Sequence, residues 1–356
     1  MRVRKRAKAL DGPSSRPGVV SERSSIGPAR DGSPLVSVVV PAYDAERWIG
    51  ATLQSLRGQT YRNLEIIVVD DGSTDGTARI VAEHAVRDVR VTLISQRNGG
   101  VAAARNRAIA DARGVYIAPT DADDLSAPTR IGQLVAALEA ADERTAVAYS
   151  WSAFLDEEGQ TMAMPLSPNF EKDVRHALYK SNFVANGSAA LMRADAMRQV
   201  GGYDTTLRDN NAQGCEDWAM LLQLSEHFHF VRVPEYLMGY RQSRTNMSSN
   251  HLQMLRSFEL VAAIHAERYP HASEALRESR KAARAAALET CVAHRQSATA
   301  LRLASRFAMS SPRWTWQILL AGLRNGRVAQ SGDPVFANMI DPSERRPFLI
   351  SDPDAE

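Results

Sequence analysis

Asp121 and Asp123 stand one residue apart in the run Ala118-Pro119-Thr120-Asp121-Ala122-Asp123-Asp124, directly after the apolar stretch Val115-Tyr116-Ile117-Ala118. In an extended chain, side chains at i and i+2 point to the same side, so both carboxylates are expected to face one point at a strand's exit. Such a pair suits a hard divalent cation, Mg²⁺ or Mn²⁺, held by one or two carboxylates while the oxygens of a diphosphate complete its shell. The chemistry would be the handling of a nucleoside diphosphate. Acidic loop clusters are common and most are only solvated, so the weight of this pair comes from its neighbours in the chain.

Strands and helices alternate on either side of it. Val36 to Val40 is a β-branched run stopped by Pro41, and Leu64 to Val69 is a second run ending at Asp70-Asp71-Gly72-Ser73. Between them Ile49, Leu53 and Leu56 recur at helical spacing, with Asp44 placed to cap the start. Val89 to Ile94 reads as a third strand, Val101 to Asp111 as a helix and Val115 to Ala118 as a fourth strand. That order predicts an α/β fold with a mostly parallel sheet covered by helices on both faces, binding its ligand at the carboxyl ends of the strands. The polar residues collect at those ends: Tyr43 and Asp44, then Asp70 and Asp71, then Asn98 and Gly99, then Asp121 and Asp123.

The segments Val38 to Asp44, Val68 to Thr77, Asn98 to Asn106 and Asp121 to Asp124 resemble the nucleotide-sugar-binding half of a family 2 glycosyltransferase of GT-A fold. Gly201-Gly202-Tyr203-Asp204 and Glu216-Asp217-Trp218 resemble its acceptor half, so the likeness covers about residues 35 to 245. It implies an inverting, non-processive transferase that uses Mn²⁺ or Mg²⁺ and a nucleotide-sugar donor. Pro41, Tyr43, Asp44, Gly72, Ser73, Asn98, Gly99, Ala122 and the Asp121–Asp123 pair would line the donor site. Arg105 and Asn106 would close it, with Arg105 facing the base or the diphosphate. Asp70 can accept a hydrogen bond from the N3–H of uracil while the Tyr43 ring offers a face for the base, so a UDP-sugar is the expected donor. Gly72 and Ser73 are expected to open the second helix, whose free N–H groups could meet the ligand, and Thr74 and Thr77 to cap it.

Sugar transfer with inversion needs a base for the acceptor hydroxyl. Glu216-Asp217 precedes the apolar stretch Trp218 to Leu222 and resembles the family's acidic pair, with Asp217 at the position of the base. The plainer alternative is that both acids favour the positive end of that helix. Gly201-Gly202 reads equally as a turn beneath a sugar or as a helix ending, and Asp204 is a lesser contact candidate. Tyr240-Arg241 falls where relatives carry an arginine and a histidine near the diphosphate; here Gln242, Ser243 and Arg244 follow, without histidine. A third protein metal ligand is therefore in doubt, and Arg241 or Arg244 is left as charge partner of the leaving group.

Composition fits a soluble, cytoplasmic enzyme. The chain has 356 residues, 44% of them hydrophobic, and a formal net charge of +2, which makes no case for nucleic acid. Cys215 and Cys291 are the two cysteines and have no CxxC spacing, which speaks against disulfides and structural zinc. No apolar run approaches a membrane span, so the family's processive synthases are poor guides. Residues 1 to 34 read as a disordered basic tail, 35 to 245 as the catalytic domain and 246 to 356 as a helical appendage. In the appendage Trp316, Leu319, Leu320 and Leu323 form a stripe flanked by Arg313, Arg324 and Arg327. It reads as a face packed on its own domain, with peripheral membrane contact toward a lipid-linked saccharide acceptor as the alternative. A sugar nucleotidyltransferase would show a glycine-rich basic loop after the first strand, which Pro41-Ala42-Tyr43-Asp44 is not. A nucleotide-sugar-binding protein without activity is opposed by the intact Asp121, Asp123 and Asp217.

Overall fold

A computed structural model describes residues 32–165, 169–243, 246–293, 340 and 344–349. The stripe at Trp316 to Leu323, Arg244 and most of the basic tail lie outside the described residues. The first half runs β1 (Val36–Ala42), α1 (Ile49–Arg57), β2 (Leu64–Asp70), α2 (Thr77–Arg87), β3 (Val91–Ser95), α3 (Val101–Asp111) and β4 (Tyr116–Pro119). The second half runs β5 (Leu125–Ser126), α4 (Arg130–Ala140), β6 (Thr145–Leu155), β7 (Thr161–Ala163), α5 (Arg175–Lys180), β8 (Ala190–Arg193), α6 (Ala194–Gln199), α7 (Thr206–Asp209), α8 (Glu216–Ser225) and β9 (His229–Arg241). Two longer helices, α9 (His251–Arg268) and α10 (Ser273–Ala293), follow.

The strands form one sheet in the order β3-β2-β1-β4-β8-β6-β9-β5, with β7 paired to β6. β3, β2, β1 and β4 are parallel, as the alternation requires. β8 then runs antiparallel to both β4 and β6, while β6 and β9 are parallel over a long register. Within β1 and β2 the side chains divide by pleat. Val36, Val38, Val40, Leu64, Ile66 and Val68 pack under α1 and α4, whereas Val39, Ile67 and Val69 pack under α3 and α8. Both sets are almost fully buried, which is why these strands read as continuous apolar runs. Chain order reverses between β1 and β4, the switch point at which such sheets open a crevice.

Several local expectations change. Pro41 belongs to β1 and pairs with Val69; it is tolerated because β4 has already ended opposite Val39. Asp44 does not cap α1. It sits at φ +45 and its Oδ1 accepts from the Thr74 N–H at 2.8 Å, which joins the loops after β1 and β2. Helix α2 begins only at Thr77, so Gly72 and Ser73 belong to the preceding loop. The N–H groups there are taken by carboxylates: Ser73 donates to Asp70, Gly76 to Glu46 and Thr77 to Asp75. Asp121 and Asp123 are likewise not brought together by strand pleat, since the chain turns there and the Asp124 N–H donates to the Asp121 carbonyl at 3.2 Å.

The helices after residue 245 share the main core. Val261, Ala262, Ala272 and Leu276 lie in one apolar cluster with Trp218 and Leu221, and Phe258 stacks on Trp218 at 4.3 Å between ring centroids. α9 also fastens the loop before α8: the Cys215 N–H donates to Ser257 Oγ at 2.9 Å and Gln253 Nε2 donates to the Gln213 carbonyl at 3.2 Å. A boundary at residue 245 therefore does not separate two cores among the described residues. Ser257 is fully buried, so Ser257→Ala leaves a buried N–H unpaired and should cost about 1–3 kcal/mol. A thermal melt reads this, and an unchanged melting temperature would show that α9 does not hold that loop.

Candidate active site

The carboxyl ends of β1, β2 and β4 open into a cleft of about 1200 Å³. Its walls include Pro41, Tyr43, Asp44, Asn98, Arg105, Asp121, Ala122, Asp123, Glu216 and Asp217, so ten of the positions expected from the sequence meet in one cavity. Tyr43 presents a ring that is 53% exposed, free to take a flat ligand. Burial and secondary bonding explain the geometry of the rest.

Arg105 on α3 is buried and pairs with Asp121, its Nη2 donating to Oδ1. Its guanidinium also lies 5.1 Å from the centroid of the Tyr203 ring. Burial opposes its charge, but the attraction of Asp121, reinforced by Asp217 and Glu216, holds its proton more firmly than usual. Asp123 shows the opposite effect. Burial, and then repulsion from Asp121, push its carboxyl up to about 7. Excess negative charge with oxygen donors is the condition that a hard cation relieves, so the pair fits Mg²⁺ or Mn²⁺. Among the described residues no group of three His, Cys, Asp or Glu side chains is arranged to hold a metal. In such a shell the protein's share would be Asp121 and Asp123, with the remainder supplied by ligand and water oxygens.

The acidic turn is held from below. Asp124 is fully buried, its Oδ2 accepting from Asn186 Nδ2 at 2.7 Å and its Oδ1 from the Arg241 N–H at 3.2 Å. The Asp121 N–H donates to Ser188 Oγ at 2.9 Å. Arg130, fully buried at the start of α4, donates to Thr120 Oγ1, Ser126 Oγ and the carbonyls of Pro119 and Ser188. Desolvation pulls its guanidinium down to about 10, with Asp124 opposing. Nothing in the sequence marks Arg130, because an arginine at a helix start usually reads as a solvated residue.

Asp217 opens α8 on the facing wall. Its Oδ1 accepts from the Trp218 N–H at 2.7 Å and its Oδ2 from Asn182 Nδ2 at 3.0 Å. Burial raises its carboxyl to about 6, while Arg105 works the other way. Gly187 explains how two loops can meet here, because a Cβ at that position would lie 2.9 Å from Asp217 Cβ. Glu216 is buried deeper, bonded to the Gly214 N–H at 2.9 Å, and desolvation raises its carboxyl as well.

Other expected positions fall outside the cleft walls. Asp70 lies buried beneath them, with Oδ1 committed to the Ser73 N–H at 3.0 Å; its neighbour Asp71 is the carboxylate that reaches the wall. Asp71 accepts from Gln96 Nε2 and from the N–H groups of Gly99 and Gly100, and so braces the start of α3. Asn106 points away from the nucleotide side: its amide bonds both the N–H and the carbonyl of Tyr203, each at 2.8 Å. Gly201 and Gly202 end α6 with φ +93 and +74, which decides for the helix-ending reading. Asp204 accepts from the N–H and hydroxyl of Thr206 at the start of α7. Arg241 is spent on backbone carbonyls, of Asp123 at 2.9 Å, Asp156 at 3.2 Å and Glu157 at 2.6 Å, and does not face the cleft. A guanidinium satisfied by carbonyls locks three chain segments; it is not placed to meet a leaving group.

An open α/β sheet with an acidic turn at its switch point and a carboxylate pair opposite defines a GT-A type glycosyltransferase. The family model described as "Glycosyl transferase family 2" matches residues 37–201. The chain belongs to that family. An uncharacterized glycosyltransferase of Haemophilus influenzae is 32% identical over 230 residues, 62% of this chain and 70% of that protein. The putative glycosyltransferase EpsH of Bacillus subtilis is 36% identical over 151 residues, 42% of this chain and 43% of EpsH, so this chain spans under half of that relative. Staphylococcus aureus TarS (residues 1–349, in complex with UDP-GlcNAc) has the same fold, with a TM-score of 0.56 and 16% identity over 82% of this chain and 92% of that one.

The coupling of Arg105 to Asp217 is directly measurable. Since Arg105 favours ionised Asp217, Arg105→Gln should lift the Asp217 carboxyl above about 6, read by carboxyl-carbon NMR titration. A value that stayed put or fell would mean that the two walls are not electrostatically joined.

Proposed function

We propose that the chain is an inverting, metal-assisted transferase that moves a sugar from a UDP-sugar to a hydroxyl of a saccharide or lipid-linked saccharide acceptor, in polysaccharide or glycoconjugate assembly at the cytoplasmic side. The observation that carries this reading is one cleft holding the acidic turn Asp121–Asp123 on one wall and Asp217, with its proton affinity raised to about 6, on the other. A carboxylate so tuned holds a proton well enough to accept it from a hydroxyl and still be largely ionised at neutral pH.

In this reading the nucleotide lies against Tyr43 and the wall at Asn98 and Asp71, with its diphosphate toward the acidic turn. Asp121 and Asp123 would hold Mg²⁺ or Mn²⁺, which when bound supplies charge neutralisation for the diphosphate. Arg105 fixes Asp121 and lowers the cost of gathering carboxylates around the ligand. Asp217 takes the proton of the acceptor hydroxyl as its oxygen attacks the anomeric carbon on the face opposite the departing diphosphate. Asn182 and the Trp218 N–H aim that carboxylate. No helix among the described residues is long and apolar enough to cross a membrane.

Asp217→Asn keeps the side chain's size and removes its basicity, so transfer should fall by roughly 10²-fold or more while donor binding survives. The parent protein's kcat should rise with pH through about 6, because ionised Asp217 is the active form. Near-normal transfer by the variant would move the base to Glu216.

For the donor, Asp121→Ala or Asp123→Ala should remove most of the Mn²⁺-dependent part of UDP binding in calorimetry. Equal UDP affinity of the parent protein with and without chelator would overturn the metal assignment. UDP should also outcompete GDP and ADP, and if GDP competes equally the uracil assignment is abandoned. Asp70→Ala, whose carboxylate lies beneath the wall, tells whether that residue contributes to the preference.

A further inference from the structure

The role expected of Arg241 is open, since that guanidinium is taken up by carbonyls. Three arginines line the cleft: Arg47, Arg105 and Arg208. Arg47 pairs with Glu157, and Arg105 pairs with Asp121. Arg208, from α7, has a buried Nη1 without a hydrogen-bond partner; Arg105 also leaves its buried Nε unbonded, but its charge is already paired with Asp121, whereas Arg208 is in no ion pair among the described residues. A guanidinium nitrogen shielded from water and left unbonded has forfeited hydration without return, a debt that an incoming anion removes.

The position of Arg208 is fixed by its neighbours. A Cβ at Gly100 would lie 2.9 Å from Arg208 Cδ, 2.9 Å from Gln213 Nε2 and 3.3 Å from Arg208 Nη1. Gly100, at φ +88, is thus required both by its backbone and by the arginine that crosses it. The guanidinium thus lies against Gly100, in the cleft that Asn98, Val101, Glu216 and Asp217 also line. Asp71, a carboxylate that braces that side of the cleft, is bonded to the Gly99 and Gly100 N–H groups and to Gln96.

We propose that Arg208 binds the diphosphate of the donor and stabilises the charge on it as the sugar leaves, an inference that rests on the donor reading above. In the transfer step the bond from the anomeric carbon to the β-phosphate oxygen breaks, and its electron pair stays on that oxygen. The acceptor oxygen forms the new bond and its proton passes to Asp217. The diphosphate ends with one more negative charge, and Arg208, which is in no ion pair among the described residues, has a buried donor to give it.

The test is calorimetry of UDP, uridine and inorganic pyrophosphate, each with Mn²⁺, against the parent protein, Arg208→Gln and Arg208→Lys. Arg208→Gln should weaken UDP and pyrophosphate by about tenfold, the loss of one charge-assisted hydrogen bond, and leave uridine within about twofold. Arg208→Lys should recover part of the loss, as a point charge without the planar fork. Equal loss for uridine and UDP, or undiminished pyrophosphate binding, overturns the proposal. If Arg208→Gln fails to melt cooperatively, Arg208→Lys against the parent carries the same comparison. Should GDP bind the parent protein and UDP not, the base assignment alone falls, and GDP with guanosine replaces the uridine pair. If neither nucleotide nor pyrophosphate binds the parent, the donor reading and this inference fall together.

Discussion

The crowding of carboxylates around a partly dry cleft is the constraint on which the site depends. Asp121, Asp123, Asp124, Glu216 and Asp217 repel one another, and burial raises the proton affinity of Asp123, Asp124, Glu216 and Asp217. Left alone, such a set would discharge itself by protonation. Arg105 opposes this at two of the carboxylates: it pairs directly with Asp121 and also pulls Asp217 down. The acceptor wall and the donor wall are therefore one electrostatic unit, although they come from α3, the turn after β4 and the start of α8. A bound cation would act on the same balance from the Asp121–Asp123 end.

Repulsion on this scale also needs mechanical restraint, and it is supplied by groups that perform no chemistry. Arg130 and Arg241 are buried cations whose hydrogen bonds go mainly to carbonyls and hydroxyls. Each joins segments distant in the chain: Arg130 ties the end of β4 to the loop before β8, and Arg241 ties the acidic turn to the loop after β6. The segment Asn186-Gly187-Ser188 completes the restraint. Asn186 holds Asp124, Ser188 holds the Asp121 N–H, and Gly187 lets Asp217 approach. This one short loop sets the distance between the acidic turn and the opposing carboxylate.

The sequence made the donor half legible because its signals are local. Local signals located β1, β2 and α3 to within a residue or two, and the carboxyl-end rule brought Tyr43, Asn98, Asp121 and Asp123 to one cavity. What local signals do not carry is which partner a polar side chain takes once its neighbours compete for it. Asp44, Asp70, Asn106 and Arg241 are all polar residues near the expected site. Each is claimed by an unpaired backbone group: Thr74, Ser73, Tyr203 and the carbonyls near Asp123 respectively. Motif position does not distinguish a carboxylate that faces a ligand from one that satisfies a loop, because the loop's hydrogen-bond deficit is a tertiary quantity. Arg130 and Arg208 were missed for the converse reason, since arginine is common on surfaces and its burial has no one-dimensional signature.

The family match ends at residue 201, whereas the cleft continues through Trp218, Tyr240, Met247, Met254 and Phe258. The wall nearest the donor motifs is polar and built by the parallel half of the sheet, which the family shares. The far wall adds the apolar side chains of Trp218, Met254 and Phe258 to its carboxylates and is built by α8, the end of β9 and α9. Met254 packs so closely on Gly214 that a Cβ there would lie 2.5 Å from its sulfur. The same helix fixes Cys215 through Ser257. A side chain exchanged on this face of α9 therefore changes both the surface of the cleft and the seat of the loop that carries Glu216 and Asp217. Under the proposed function, selectivity for the acceptor and placement of the base are bound into one packing problem, which limits how far either can vary without the other.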